Sequence, residues 1–133
     1  MFADIFVILL TCHWAADYPG QTDHQALHKA DRTVRGWIAN LTHAFTHVVI
    51  TASVLLIVGQ VLPEVHPAPA AAAFGLAWVG ASHSLIDRRW MIRWWMEHTG
   101  QRDFLQAGGA AHVDQAVHVL LGLLPAAVLI SCL

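Results

Sequence analysis

The chain has 133 residues, of which 56% are hydrophobic and only 12% are charged, a composition that excludes an ordinary soluble domain. Seven Lys and Arg residues against nine Asp and Glu residues lack the basic excess of a nucleic-acid-binding protein. At this length we expect a single domain over residues 1–133. Cys12 and Cys132 form neither a disulfide framework nor a Cys-x-x-Cys metal motif, so we interpret them as small apolar residues.

Four segments contain no Lys or Arg, and each is close to the roughly 20 residues that cross a bilayer. They are residues 2–17, 37–62, 70–87 and 110–133. The first lacks the basic start of a signal peptide and is interpreted as a helix of the mature protein that ends at Pro19-Gly20. Pro125 is predicted to kink the last helix. The sequence therefore predicts an all-α polytopic membrane protein, a bundle of four transmembrane helices.

All seven basic residues lie in two of the connecting segments. The first segment contains Lys29, Arg32 and Arg35, and the second contains Arg88, Arg89, Arg93 and Arg102. By the positive-inside rule both connections, residues 18–36 and 88–109, lie in the cytoplasm. We therefore predict a multi-pass protein of the bacterial inner membrane with its N-terminus and its C-terminus outside.

The second basic stretch, residues 88–106, interleaves Trp90, Trp94 and Trp95 with arginines. Tryptophan and arginine interleaved in this way are typical of a helix that lies on a membrane surface. We predict an interfacial amphipathic helix here, between transmembrane helices three and four, in contact with anionic lipids. A protein-binding surface is the alternative, and the sequence leaves a homo-oligomer open.

Each predicted transmembrane helix also carries a pair of ionisable residues four positions apart. The pairs are His13 and Asp17, His43 and His47, His83 and Asp87, and Asp114 and His118. This spacing places both members of a pair on one face of a helix. Counting about 1.5 Å per residue from the predicted helix ends puts all the pairs in the cytoplasmic half of the membrane.

Ionisable groups cost roughly 3 kcal/mol or more in the middle of a bilayer, so we expect the pairs to turn inward toward one another. Five imidazoles and three carboxylates suit Zn, Mn or Fe, and helix bundles build such sites from inward-facing residues. All eight residues are candidate ligands, for one divalent ion or two. The alternative is that each pair is a hydrogen-bonding contact between helices without a metal.

Taken in chain order, the pairs extend to a set of four motifs. They are His13-x3-Asp17-x3-Gln21, His43-x3-His47, His83-x3-Asp87 and Asp114-Gln115-x2-His118. In this set the chain resembles, over nearly its whole length, a family of small polytopic membrane proteins of bacteria and their phages that is known only as a domain of unknown function. The resemblance implies four membrane helices and no established activity. Pro19-Gly20 interrupts the first motif, which places Gln21 beyond the first helix.

A looser similarity is to bacterial inner-membrane metal-dependent hydrolases, which also place His and Asp in short apolar helices, although their Pro-Asp-x-Asp signature is absent from this chain. If the metal site is catalytic, we expect metal-assisted hydrolysis of a lipid-linked or phosphoester substrate, with Gln115 or an unligated Asp114 orienting the water or donating a hydrogen bond. One alternative is a non-enzymatic membrane component, either a metal or proton conduit or a phage-type protein that acts on host membrane partners. The other is a bis-histidine haem protein, in which the aspartates would have no role.

Overall fold

The computed structural model describes residues 1–132, and over that range the chain is helical without a strand. In chain order the described helices are α1 (Phe2–Asp17), α2 (Asp23–His28), α3 (Val34–Val61), α4 (Pro69–Asp87), α5 (Trp90–His98), α6 (Arg102–Gln106), α7 (Ala110–Val117), a π-helical segment (His118–Leu123) and α8 (Leu124–Cys132). We call the last three together the terminal helix, Ala110–Cys132.

Three helices are long and apolar enough to cross a membrane: α3 with 28 residues, α4 with 19 and the terminal helix with 23. Large apolar side chains such as Phe45, Leu56 and Phe74 are exposed on their surfaces, as on helices that face lipid rather than water. α1 is shorter, with 16 residues, which span about 24 Å against a hydrocarbon core of roughly 30 Å. The all-α prediction is confirmed, with three candidate membrane spans.

The long helices pack in a ring, in which α1 contacts α3 and α8, and α4 contacts the same two helices. One half of their shared interior is an apolar core. It consists of Ile5, Leu9, Leu55, Val65, Val79, Leu123, Ala126, Ala127 and Ile130. α4 and α8 approach closely at Gly75, where a Cβ atom would collide with the side chain of Ile130. The other half of the interior is polar and contains the candidate site.

The connections contain short helices that the sequence analysis did not predict. α2 begins with a capping box, in which the side chains of Thr22 and Gln25 each accept a hydrogen bond from the other's backbone N–H. The single helix predicted over residues 88–106 is two helices, α5 and α6. Between them Gly100 has a φ of 77°, which a residue without a Cβ adopts at little cost.

The two basic connections contact each other at one end of the molecule. Arg88 donates from Nη1 to the carbonyl oxygen of Lys29 at 2.9 Å, and Trp90 donates from Nε1 to that of Ala30 at 2.9 Å. The Arg88 guanidinium also lies 4.2 Å from the ring centre of Trp37 and 4.4 Å from that of Trp90, within the range of a cation–π contact. These contacts bring the predicted cytoplasmic segments together on the same side of the ring.

The terminal helix is irregular immediately before Pro125. Proline has no N–H, so the carbonyl of Leu121 loses the donor that an α-helix would provide. Trp78 of α4 donates from Nε1 to that carbonyl at 3.0 Å. The π-helical segment His118–Leu123 lies directly before this point, and such segments commonly occur within α-helices at functional sites. The π-helical segment therefore lies just before Pro125, and α4 supplies a donor for the carbonyl of Leu121.

Candidate metal centre

The eight predicted ligands converge in the polar half of the interior, beside the two basic connections. α1, α3, α4 and the terminal helix each contribute one pair, and the four-residue spacing turns both members of each pair toward the ring interior. No side chain of the eight is more than 6% exposed. We call these eight residues the His–Asp cluster.

Asp17 joins α1 to the histidines of two other helices. Its Oδ1 lies 3.1 Å from Nε2 of His43, 3.2 Å from Nε2 of His47 and 3.6 Å from Nε2 of His83. Burial of this carboxylate therefore depends on donors that neighbouring helices provide.

Asp87 of α4, like Asp17, contacts side chains from several parts of the chain. Its Oδ2 lies 3.0 Å from Nε2 of His83 and 3.4 Å from Nε2 of His43. The same oxygen lies 2.9 Å from Nζ of Lys29. Its Oδ1 is 3.9 Å from Nε2 of His118, which is too far for a hydrogen bond. The carboxylate thus contacts groups from α3, α4 and the first basic connection and faces the terminal helix.

The cluster contains three overlapping groups in which the candidate ligand atoms all lie within 4.8 Å of one another. The groups are His13, Asp17, His47 and His83; His43, His83 and Asp87; and Asp87, Asp114 and His118. Metal–ligand bonds of about 2.0–2.4 Å can hold ligand atoms up to about 4.8 Å apart. Since the first and third groups have no member in common, the cluster has enough ligands for two ions.

Several polar atoms of the cluster are buried without a hydrogen-bond partner. Within the described part of the chain this holds for His13 Nδ1, Asp114 Oδ1 and His118 Nε2. A buried polar atom without a partner costs roughly 1–3 kcal/mol. Atoms of this kind in a native fold indicate a ligand, an ion or a water, and a cation fits the carboxylate and imidazole atoms found here.

Gln115 lies beside the cluster, as its position next to Asp114 predicts. His13 donates from Nε2 to Oε1 of Gln115 at 3.1 Å. Gln115 in turn donates from Nε2 to Oδ2 of Asp17 at 2.8 Å. The amide thereby orients one imidazole and one carboxylate at once.

Two further residues reach the cluster from the first basic connection. Gln21 lies beyond α1, as its position after Pro19-Gly20 predicts, yet its Nε2 is 2.8 Å from Nε2 of His43. Lys29 is 6% exposed and pairs with Asp87. The four-residue spacing from Asp17 was a signal for Gln21. Nothing in the sequence distinguished Lys29 from the other basic residues of the connection.

A cavity of about 360 Å³ opens beside the cluster on the side of the basic connections. We call it the mouth cavity; it is lined by Asp17, Tyr18, Gln21, Lys29, Arg89, Ala111, His112, Asp114 and Gln115. Tyr18 and His112 are exposed at its rim, while Asp17, Asp114 and Gln115 link it to the cluster. The buried site is therefore reached from one end of the molecule.

This geometry defines a helical membrane-type protein with a buried polar site between its long helices. A family model described as "Protein of unknown function (DUF3307)" matches residues 5–131, and the chain belongs to that family. The match contains the whole His–Asp cluster and confirms the resemblance to an uncharacterised family. No curated protein matches the chain, and no solved structure matches it.

Proposed function

We propose that the protein is a membrane-embedded metal-binding protein that acts as a metal-dependent hydrolase on a phosphoester or lipid-linked substrate. One observation carries the proposal: four separate helices bring eight buried His and Asp side chains to one place, where they form three overlapping groups whose ligand atoms lie within 4.8 Å of one another. Hydrogen bonding alone explains a single pair well. It explains poorly a cluster in which several buried polar atoms have no partner among the described residues.

The proposed metal is Zn, with Mn or Fe as alternatives, bound as one ion or two. Imidazole nitrogen and carboxylate oxygen together are suited to these metals. Gln115, through its contacts with His13 and Asp17, would hold two of the ligands in position, as outer residues do in metal sites.

The mouth cavity favours a hydrolytic role, because Asp114 and Gln115 line it and can meet a substrate there. A bound cation would polarise the phosphoryl oxygen and lower the pKa of its water to about 7. In the proposed reaction the water oxygen bonds to phosphorus while the ester P–O bond breaks. An Asp114 that does not ligate the ion would accept one proton from the water, the leaving oxygen would take up a proton from solvent, and Gln115 would donate a hydrogen bond to the attacked group.

The arrangement disfavours a conduit and a haem protein. A conduit needs polar groups along its whole length, whereas the interior beyond the cluster is the apolar core around Leu55 and Leu123. A haem would have to lie between two histidines, yet the ring centres of His47 and His83 are 3.5 Å apart. Direct ring contact of this kind favours a small ion.

In the membrane, we propose that α1 is a fourth span, so that a four-helix transmembrane bundle surrounds the cluster. A short helix is accommodated by local thinning of the bilayer at modest cost. The bilayer would be the bacterial inner membrane, with residues 18–36 and 88–109 in the cytoplasm and both termini outside. The mutual contact of the basic connections supports this orientation under the positive-inside rule.

We also propose that α5 rests on anionic lipids. Met91, Trp94 and Trp95 are exposed on it, while Trp90 is engaged with the first connection. Trp94→Ala with Trp95→Ala should weaken the protection of α5 from protease in nanodiscs that contain phosphatidylglycerol. Unchanged protection would favour a protein contact, including one within a homo-oligomer.

The central experiment is metal analysis of protein purified in detergent without chelator and without a histidine tag. We expect one or two equivalents of Zn, Mn or Fe per chain, and metal-dependent cleavage of para-nitrophenyl phosphate or phosphatidic acid. Asp17→Asn should lose metal, whereas His66→Ala, outside the cluster, should retain it. Metal-free wild-type protein whose stability is the same with and without added metal would contradict the proposal.

A further inference from the structure

Arg89 has an unusual backbone for its position at the mouth cavity. Its φ is 55°, and it is the one non-glycine residue with a positive φ among residues 1–132. A residue with a Cβ pays for this left-handed conformation, which occurs disproportionately at functional sites. The conformation lies at the turn from α4 into α5, and the side chain, which is 37% exposed, lines the mouth cavity.

The Arg89 guanidinium has hydrogen-bonding capacity that the protein does not use. Its Nη2 lies 3.5 Å from Oδ2 of Asp114. This distance is longer than that of a charge-assisted hydrogen bond, about 2.7–2.9 Å. Its Nε is buried and has no hydrogen-bond partner in the described structure. An arginine offers five N–H donors in a planar fork that matches the oxygens of a phosphate.

A second cation lies across the same cavity. Lys29 lines it while its Nζ contacts Asp87, and His112 lies at the rim. The cluster itself carries three carboxylates, so without these basic groups the mouth would repel an anion. Lys29 and Arg89 instead present positive charge where a substrate would enter.

We propose that Arg89 and Lys29 bind the phosphate group of the substrate in the mouth cavity, beside Asp114 and Gln115. This inference rests on the proposed function, because it specifies the substrate class of the same site. Arg89 supplies the directional hydrogen bonds and Lys29 supplies charge. The phosphate belongs either to a soluble ester or to a lipid headgroup.

Binding of inorganic phosphate to the purified protein in detergent tests this inference directly, by calorimetry. Arg89→Gln should weaken binding by about tenfold or more, because a hydrogen bond to a charged group is lost. The control is Arg93→Gln, an exposed arginine of α5 that does not line the mouth cavity, and its affinity should equal that of the parent. Equal losses in both variants, or no phosphate binding by the parent, would overturn the proposal.

Arg89→Gly separates ligand binding from folding. Glycine adopts a positive φ without strain, which offsets the loss of the contact with Asp114, so this variant should lose phosphate affinity with a melting temperature close to that of the parent. A melting temperature that falls, with phosphate affinity retained, would show a structural role and contradict the inference.

Nanodiscs distinguish the two sources of the phosphate. Protection of the parent from thermal unfolding by 10 mol % phosphatidic acid, lost in Arg89→Gln, would indicate a lipid headgroup. Protection by inorganic phosphate alone would indicate a soluble ester.

Metal content, measured in parallel, should not change in Arg89→Gln. If the protein contains metal but Arg89→Gln does not change phosphate affinity, this inference alone is refuted. If phosphate binding depends on Arg89 but the protein contains no metal, only the proposed function is refuted.

Discussion

Asp17, Asp87 and Asp114 place three carboxylates in the buried half of a helical interior, where an uncompensated charge is expensive. Each has a neighbour from another part of the chain: Asp87 contacts Lys29, Asp114 contacts Arg89, and Asp17 contacts histidines of α3 and α4. The compensation of each charge is thus shared between elements. Removing one member should therefore affect groups on several helices.

The first residue-scale prediction tests whether the cluster is one unit. His83→Ala and Asp114→Ala, on different helices, should each lower metal content and destabilise the fold by about 3–5 kcal/mol, because partners lose compensation. The double variant should cost much less than the sum, since residues in one network are not additive. Metal analysis and chemical unfolding in detergent measure both effects. The exposed His112→Ala is the control, and additive losses would indicate separate local pairs.

The second residue-scale prediction concerns the buried pair of Lys29 and Asp87. Lys29→Met keeps the length of the side chain but removes the charge, so we expect a loss of stability of about 3–5 kcal/mol, the range for breaking a buried ion pair. Arg35→Met, in the same connection but exposed, should change stability by less than about 0.5 kcal/mol. Thermal unfolding in detergent gives the comparison. Equal effects of the two substitutions would contradict the prediction.

Among the elements, the terminal helix shows how one helix depends on its neighbour. The π-helical segment contributes His118 to the cluster and Leu123 to the apolar core. Pro125 leaves the carbonyl of Leu121 without its helical donor, and Trp78 of α4 replaces that donor. The hydrogen-bond donor that the proline lacks is therefore supplied from outside the helix.

The element-scale prediction is a coupling between Trp78 and Pro125. Trp78→Phe removes the indole donor and should destabilise the fold by about 1 kcal/mol. In a Pro125→Ala background the same substitution should cost less, because residue 125 then has an N–H for the Leu121 carbonyl. Unfolding of the four proteins of this cycle gives the coupling energy. Trp94→Phe, an exposed tryptophan, is the control, and an identical loss in both backgrounds would refute the coupling.

Over the whole molecule, polarity is divided between the two ends. The His–Asp cluster, the mouth cavity and both basic connections lie at one end. The apolar core fills the interior toward the other end, where residues 62–68 connect α3 to α4. Because all seven basic residues belong to the first end, the positive-inside rule predicts one orientation in a bilayer, with this end in the cytoplasm.

The whole-molecule prediction tests this orientation by cysteine labelling of intact cells. Cys12 and Cys132 are first replaced, because Cys132 is exposed and would react at the outer face. In that background a cysteine at Glu64 should be modified by an impermeant maleimide. Cysteines at Arg35 and Asp103, one in each basic connection, should react only after lysis. The reverse pattern would overturn both the orientation and the cytoplasmic position of the cluster.

The His and Asp pairs that the sequence singles out do face inward in the structure, because helical periodicity is local. His43 and His47 share a face of α3 whatever the rest of the chain does, and the apolar stretches around them predict the long helices from composition alone. The contacts of Gln21 with His43 and of Lys29 with Asp87 are harder to predict from the sequence. They depend on the path of a connection between helices. That path is set by α2 and by the contact with Arg88.

The sequence by itself determined the helical class, the long helices and the residues that face inward on each of them, because these follow from hydrophobicity and a period of 3.6 residues. The sequence also predicted a common depth for the four pairs, whereas only the tertiary structure decided which of their ligand atoms lie within 4.8 Å of one another. The tertiary structure also decided that Lys29 contacts Asp87 and that Arg89 contacts Asp114. The hydrogen bond from Trp78 to the carbonyl of Leu121 was likewise decided there. Such contacts join residues far apart in the chain, and their distances depend on how whole helices pack.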